Sequence, residues 1–371
     1  MKGRVKILKS PNDEYEPEHF VDSDFPAHRE KMMRRCKLKM CKTTVVLFSF
    51  SLFTFHFSLF TSSAEDTIRV LMLENPNESF PADDAQRIGR LNGKITAKGQ
   101  IYNGTIDVRK DKNGFYFISD IPFEKYVEGV VASEIGKGWD IEAVKVQAVI
   151  SRTYAAYYKA VNAGKDYHLT SSVLSQVYKG ENTDPWVAVA VKETEGEVLT
   201  YEGKPIEAFY HSTAGGRTEL PEEAWGKKKR YPYLKSVEYA DESSPYFSWK
   251  RKFSLKQIEK ALGIKEIKEV SIAAFTVTGR VRTLKITAGN SVKEINAGDL
   301  RRLLGYKELP STFFTVKLSG QEVIFDGKGY GHGVGLSQWG AHEMAKQGKT
   351  YKEILAYFYP GAVLQRQGSR E

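Results

Sequence analysis

The stretch 122-PFEKYVEGVVASEIGKGWDIEAVKVQAVISRTYAAYY-158 decides how the chain folds. Asp140 is a good N-cap, and behind it Ala143, Val144, Val146, Ala148, Val149, Ile150, Tyr154, Ala155 and Tyr158 cover most of a helix circumference. A helix that is apolar nearly all round belongs inside, so the spacing predicts a scaffold helix with other elements packed about it. Gln147 and Arg152 interrupt that surface. A buried arginine needs an acceptor, which makes Arg152 either a core ion-pair partner or a substrate anchor.

Just upstream, Glu134 stands among Val130, Val131, Ala132 and Ile135, with Trp139 following. Burial disfavours a charged carboxylate, so an acid held there keeps its proton above its solution pKa, as a general acid must. The plainer alternative is an ordinary loop carboxylate. Arg152 lies about 18 Å along the helix from Asp140 at 1.5 Å per residue. It reaches Glu134 only if residues 134–139 fold back along the helix.

The 371 residues allow one large or two ordinary domains, and the net charge of +9 is unevenly spread. Residues 1–64 hold 11 Lys/Arg against 7 Asp/Glu, which leaves the remainder only mildly basic. Such a balance suits an anionic polymer. With no basic run longer than Lys227–Arg230, it carries no footprint of sequence-specific nucleic-acid binding, and no nucleic-acid partner is expected. Cys36 and Cys41 both precede the hydrophobic segment, so the body has neither a disulfide nor a Cys-ligated metal.

Residues 1–31 read as a polar disordered leader, or as a mis-assigned start ahead of Met32 and Met33. Residues 32–64 combine a basic flank, an apolar core at 45–60 and small residues ending at Ala64. That is the plan of a secretory signal peptide, with an uncleaved anchor as the alternative. The protein is therefore expected to be exported, touching membrane only through this segment.

From residue 65 to 371 a single α+β body is expected. Strands fill Thr67 to Asp120, with turn signals at Asn103-Gly104 and Asn113-Gly114. A short helix over Phe123 to Val130 leads into the scaffold helix. Asp184-Pro185 opens another helix whose apolar stripe is Trp186, Val187, Ala190 and Val191. A hairpin turning near Glu202-Gly203 then delivers His211-Ser212-Thr213-Ala214-Gly215-Gly216 to a loop, where binding residues tend to sit. The aromatics Trp225, Tyr231, Tyr233, Tyr246, Phe247 and Trp249 line a sugar groove or, more commonly for such residues, fill a core.

Residues 250–310 resemble an inserted subdomain, opened by the capping box Ser254-x-x-Gln257. Finally, a loop with glycines at 327, 329, 331, 333 and 335 enters a helix near Ser337, and a second helix starts at Thr350-x-x-Glu353. The expected whole is a mixed β-sheet core with a long buried helix, a helical C-terminal segment and a substrate groove between them.

Rival chemistries are weak. The glycine loop lacks the Lys-Ser/Thr of a phosphate loop, and Trp339 occupies the position where a nucleophile elbow needs glycine. His211 and Ser212 are adjacent on an extended chain and point apart. His211, His332 and His342 show no diagnostic metal spacing. The simpler readings are a loop-fixing hydrogen bond for His332 and a helix-surface place for His342.

SEIGKGWDIEAVKVQAVISRTYA, SQVYKG, FYHSTAGGRTE and GYGHGVGLSQWGAHEMAKQGKTYKEILAYFYPGAVL together resemble the stage II sporulation protein D family, which includes amidase enhancers. The resemblance spans roughly residues 67–364. It implies an exported, cell-wall-active protein with a mixed α/β fold, and for sporulation members a lytic transglycosylase cutting peptidoglycan glycan strands that lack stem peptides. On this resemblance Glu134 is the catalytic acid and Arg152 the essential arginine. Groove or supporting roles fall on Gln147, Tyr178, His211, Ser212, Gly215, Tyr330, His332, Ser337 and Gln338.

Ile135 and Gly136 stand where the family usually has Met and Pro, which predicts a looser loop at Glu134. Some members bind zinc through Cys and His; without cysteines in the body, no metal or cofactor is expected here. The competing class is a non-catalytic module that presents peptidoglycan to a cell-wall amidase, and a third is direct amidase activity.

Overall fold

The computed structural model describes residues 66–72, 85–97, 100–172, 175–182, 184–226, 231–239 and 241–367. The leader (1–31) and the signal or anchor segment (32–64, with its apolar core at 45–60) lie outside the described residues. Among the described residues no helix is long and apolar enough to cross a membrane.

The chain begins with β1 (Thr67–Leu71), β2 (Gln86–Ala97), β3 (Gln100–Asp111) and β4 (Gly114–Pro122). With the short β5 (Leu169–Thr170) they form a sheet ordered β2-β3-β4-β1-β5, in which β1 and β5 are parallel and the other pairs antiparallel. The turn at Asn113-Gly114 forms, joining β3 to β4, but Asn103-Gly104 is not a turn: Gly104 lies inside β3, opposite Gly93. A Cβ there would stand 2.4 Å from the Asp120 carbonyl oxygen, so this glycine serves a close approach of two strands.

β4 runs straight into α1 (Phe123–Glu134), which is longer than its sequence suggested. Phe123, Tyr126, Val127, Val130 and Val131 form its buried stripe, and the same i, i+3, i+4 spacing continues to Glu134. The stripe therefore carries the carboxyl into the core. After a short loop comes α2 (Ile141–Val161), with Asp140 accepting the Glu142 amide at 2.9 Å as N-cap. Val146, Ala148, Val149, Ile150, Tyr154 and Ala155 on this helix are at most 1% exposed.

α3 (Pro185–Glu193) is capped by Asp184, as read from sequence. Trp186 departs from the expected stripe, being 48% exposed, because its indole lies across the 135–140 loop and donates to the Trp139 carbonyl at 3.2 Å. β6 (Glu197–Tyr201) and β7 (Lys204–Pro205) form the hairpin. β8 (Tyr210–His211), β9 (Gly216–Arg217), α4 (Pro221–Trp225) and β10 (Glu238–Tyr239) follow.

A second apolar cluster, from Trp249 to Phe325, is built by β11 (Ser248–Ser254), α5 (Leu255–Leu262), β12 (Ile267–Phe275), β13 (Val281–Ala288), β14 (Ser291–Asn296), α6 (Ala297–Leu304), β15 (Phe314–Ser319) and β16 (Glu322–Lys328). β11 and β15 flank β16, so the unit also takes in β15 and β16, which lie beyond residues 250–310. β17 (Leu336–Ser337), α7 (Gln338–Lys346), α8 (Tyr351–Phe358) and β18 (Val363–Arg366) complete an α+β fold. β17 pairs in parallel with β8, and β18 joins β6.

Tyr231, Tyr233 and Trp249 are core residues, each less than 9% exposed. The glycine loop packs closely on its neighbours, with Gly329, Gly331 and Gly335 against residues 209–214. Gly335 has φ +73°, and a Cβ there would lie 2.0 Å from the Phe209 carbonyl oxygen. Gly335→Ala should therefore destabilise the protein by about 3 kcal/mol or more in a denaturant titration. Gly348→Ala, at φ +81° with open space around it, should lose only about 1 kcal/mol.

Candidate functional site

Glu134 is the last residue of α1 and is 3% exposed. Its Oε1 accepts the Val177 amide at 3.0 Å, and the Tyr210 hydroxyl and Gln338 amide also hydrogen-bond to it. Burial outweighs these donors and pushes the carboxyl up to about 8. The group is accordingly a neutral acid at pH 7, with donors already placed to receive its anion.

Around it runs a buried polar chain. Gln338, the first residue of α7, donates to Gln147 Oε1 on α2 at 3.2 Å and to the Glu134 carbonyl at 3.5 Å. Gln147 donates in turn to Ser151 Oγ at 3.1 Å. On the other side Gln176 donates to the Tyr210 hydroxyl at 3.4 Å and accepts from the Tyr126 hydroxyl at 3.2 Å. Tyr178 packs its ring at a tilt on Tyr126, with centroids 5.2 Å apart, against the Cα of Gly129. Burial holds the Tyr126, Tyr178 and Tyr210 hydroxyls far above their usual range, so they act as neutral donors.

The structure does not bring Arg152 to Glu134. α1 and α2 run antiparallel, so mid-α2 faces the first turn of α1, and Glu134 lies about 15 Å further along α1 at 1.5 Å per residue. Arg152 is wholly buried and grips Glu124 through Nε (2.8 Å) and Nη2 (2.7 Å). It also donates to the Val191 and Glu197 carbonyls, both at 3.2 Å. Of its two sequence-level roles, this is the core ion pair.

The other motif residues form a supporting tier. Asp241, wholly buried, accepts the amides of Ala214, Gly215 and Gly216 and the Ser337 hydroxyl, the last at 2.8 Å. Gly215 sits at φ +74° to make that turn. Ser337 also caps α7 by accepting the Gly340 amide at 3.1 Å, and its hydroxyl oxygen lies 3.4 Å from the Ser212 carbonyl. Tyr330 bridges Thr213 by paired backbone bonds and rests its ring on Tyr246. His211 donates from Nδ1 to the Val334 carbonyl at 3.1 Å; burial, then Arg280, drives it down to about 3, so it is neutral.

His332 Nδ1 accepts the Val334 amide at 3.0 Å, a loop-fixing bond. His342 is no surface residue: it is 6% exposed and stacks on Trp139 with centroids 4.5 Å apart. It thus stays with the tryptophans rather than joining His211 and His332. Among the described residues no group of three or more His, Cys, Asp or Glu side chains could hold a metal ion.

A groove of about 520 Å³ opens at Ser133 and Ile135, on either side of Glu134 in the chain, and Glu134 itself is not among its lining residues. It is lined by Ser133, Ile135 and Gly136 at the end of α1, by Trp139, by Lys179 to Asn182, and by Trp186 at the start of α3. It lies against the α1–α2 loop and α3 rather than between the scaffold helix and the C-terminal segment. None of the predicted binding residues lines it; His332 lines a second cavity of about 230 Å³ beside α6. A residue larger than glycine at 136 would press on the Trp139 indole, since a Cβ there stands 3.1 Å from its Nε1. Sequence reasoning missed Tyr210, Gln176 and Asp241. The first two lie inside quoted motifs, whereas Asp241 sits in a turn-rich run with no local signal.

A family described as Stage II sporulation protein matches residues 111–201, and a domain of unknown function matches residues 227–335. Stage II sporulation protein D of Bacillus subtilis is 36% identical over 66% of this chain and 74% of its own length. Stage II sporulation protein D of Bacillus amyloliquefaciens is 34% identical over 78% of this chain and 90% of its own. An amidase enhancer of Bacillus subtilis is 28% identical over 64% of this chain and 40% of its own.

Two tests follow from the site. Because the Glu134 pKa is raised on folding, its contribution to stability is full at acid pH and is lost as pH rises towards 8. Glu134→Gln should therefore match the parent's melting temperature near pH 4 and exceed it increasingly up to pH 8, levelling off beyond. Arg152→Met should destabilise by about 3 kcal/mol, measured by chemical denaturation, because it leaves Glu124 and two carbonyls without their donor.

Proposed function

Because the chain belongs to the stage II sporulation protein D family, we propose that its cell-wall-related role is that of a peptidoglycan lytic transglycosylase with Glu134 as the single acid and base. The observation that carries this reading is a carboxyl 3% exposed and held near 8, whose chain neighbours Ser133 and Ile135 both line a groove of about 520 Å³. Protonated Glu134 gives its proton to the glycosidic oxygen as the bond to the anomeric carbon breaks. The resulting carboxylate then takes the proton of the muramic acid O6 hydroxyl, whose oxygen attacks that anomeric carbon and closes a 1,6-anhydro ring. The substrate supplies its own nucleophile, so the second carboxylate of a hydrolytic glycosidase has no task here.

The amide of Val177, the Tyr210 hydroxyl and Gln338 stabilise the transient carboxylate. Arg152 acts at a distance by locking α1, and with it Glu134, against α2. Ser133 and Ile135 wall the groove on either side of the acid in sequence, so docking of a strand entails displacement of this wall or of residues 175–182. An exported or envelope location goes with this role. Peptidoglycan glycan strands are the partner, with no cofactor.

The near-complete burial of Glu134 favours one second reading, a non-catalytic module that binds strands and assists a cell-wall amidase. Incubation with glycan strands stripped of stem peptides, followed by mass spectrometry, separates the two. Anhydromuramyl ends should appear with the parent and vanish with Glu134→Gln, and kcat/KM should fall about tenfold per pH unit above pH 8. Strands left unaltered by the parent would sink the transglycosylase reading and leave the binding module.

A further inference from the structure

The positive charge of the body is concentrated in one stretch. Residues 248–328, which build the second apolar cluster, hold 16 Lys/Arg against 8 Asp/Glu, whereas residues 65–247 and 329–371 together hold 28 against 31. The five arginines of this stretch are committed to acceptors within the protein. Arg280 and Arg301 are buried; the first donates to the Ala214 carbonyl and the second to those of Leu309 and Pro310, each at 2.7 Å. Arg251 donates to the Lys250 carbonyl at 3.1 Å, Arg282 pairs with Glu223, and Arg302 pairs with Asp299 at 3.3 Å. The eleven lysines, by contrast, are all exposed.

Strand alternation puts four of these lysines on one face of the β11-β16-β15 sheet. Trp249, Phe253, Phe314, Val323 and Phe325 belong to the apolar cluster, so the residues between them face water. Across that outer face Lys250 stands in register with Asp326 and Thr315, Lys252 with Ile324 and Lys317, and Lys328 with Ser248. Asp326 and Glu322, the acids of the face, pair with Lys250 at 3.3 Å and Lys252 at 3.1 Å, which leaves Lys317 and Lys328 as its net charge. No large apolar side chain on it is exposed.

We propose that this sheet face docks a polyanion of phosphodiester repeats, and so holds the protein in an anionic polymer layer. A lysine is a compact point charge that binds phosphate without demanding one orientation, which suits a flexible chain recognised by charge alone. The arginine fork, which fixes one geometry, is kept for contacts inside the protein. A lipid surface would draw on exposed apolar side chains beside the cations, and this face presents none. The inference goes beyond the reaction at Glu134 and holds whether or not that acid cuts a strand.

The test titrates the full chain with poly(glycerol phosphate) in a calorimeter at low and moderate salt. Four phosphate contacts should make the affinity fall about 50-fold when the NaCl concentration is raised fourfold. Lys317→Gln/Lys328→Gln leaves both ion pairs of the face in place, so its melting temperature should equal the parent's. It should bind about tenfold more weakly at low salt and lose only about sevenfold over the same salt step. Lys112→Gln/Lys165→Gln, which removes two exposed lysines elsewhere, should bind like the parent. Absence of polymer binding at low salt, equal losses in the two double variants, or a loss in Lys317→Gln/Lys328→Gln seen on phosphatidylglycerol vesicles and not on the polymer overturns the proposal. Release of anhydro ends from soluble strands is scored separately, so failure of docking and failure of the acid at Glu134 give different results.

Discussion

A buried helix must satisfy its polar side chains inside the protein, and five of those on α2 reach out to the elements around it. Arg152 holds Glu124 of α1 and the end of α3. Thr153 Oγ1 accepts the Leu199 amide of β6 at 2.9 Å. Gln147 meets Gln338 of α7, and Glu142 accepts the Tyr351 amide of α8 at 2.7 Å. Tyr158 donates to Glu207 at 2.5 Å. Apolar burial supplies the driving force around this rod, but it is non-directional; these polar contacts fix the register of everything packed on it.

That register decides where the acid goes. Antiparallel packing of α1 on α2 gives Arg152 to the start of α1 and leaves the end of α1 to the glutamines. Glu134 then falls where three separate segments converge: residues 176–178, β8 with Tyr210, and the first turn of α7 with Gln338. Its raised pKa follows from burial on the apolar stripe of its own helix.

The loops carrying His211 and the glycines form a second, quieter construction. Asp241 gathers three consecutive backbone amides and the Ser337 hydroxyl, and so joins residues 214–216 to the start of α7. Gly329, Gly331 and Gly335 let this chain run close against residues 209–214, while Gly327 makes room for the Trp249 ring and Gly333 for the Arg280 guanidinium. Polar and small residues that look like an active site in sequence are, in part, the means by which two loops are held at backbone contact. They keep Tyr210 and Gln338, which flank them, at their places around Glu134.

Local sequence determined the elements with strong local signals. The caps at Asp140, Asp184, Ser254 and Thr350 and the all-round apolar surface of α2 depend on neighbours within a few residues, and they stand where the residues put them. The unusual environment of Glu134 was legible for the same reason. Tertiary structure alone decided the partners. Whether Arg152 would meet Glu124 or Glu134 depended on the direction in which α1 returns, and whether Gly104 is a turn or a strand contact depended on Asp120 across the sheet. Trp186 and His342 read as stripe and surface by helical period, yet both answer to Trp139 from another element. Such contacts join residues far apart in the chain, and no local pattern encodes which distant surface will arrive.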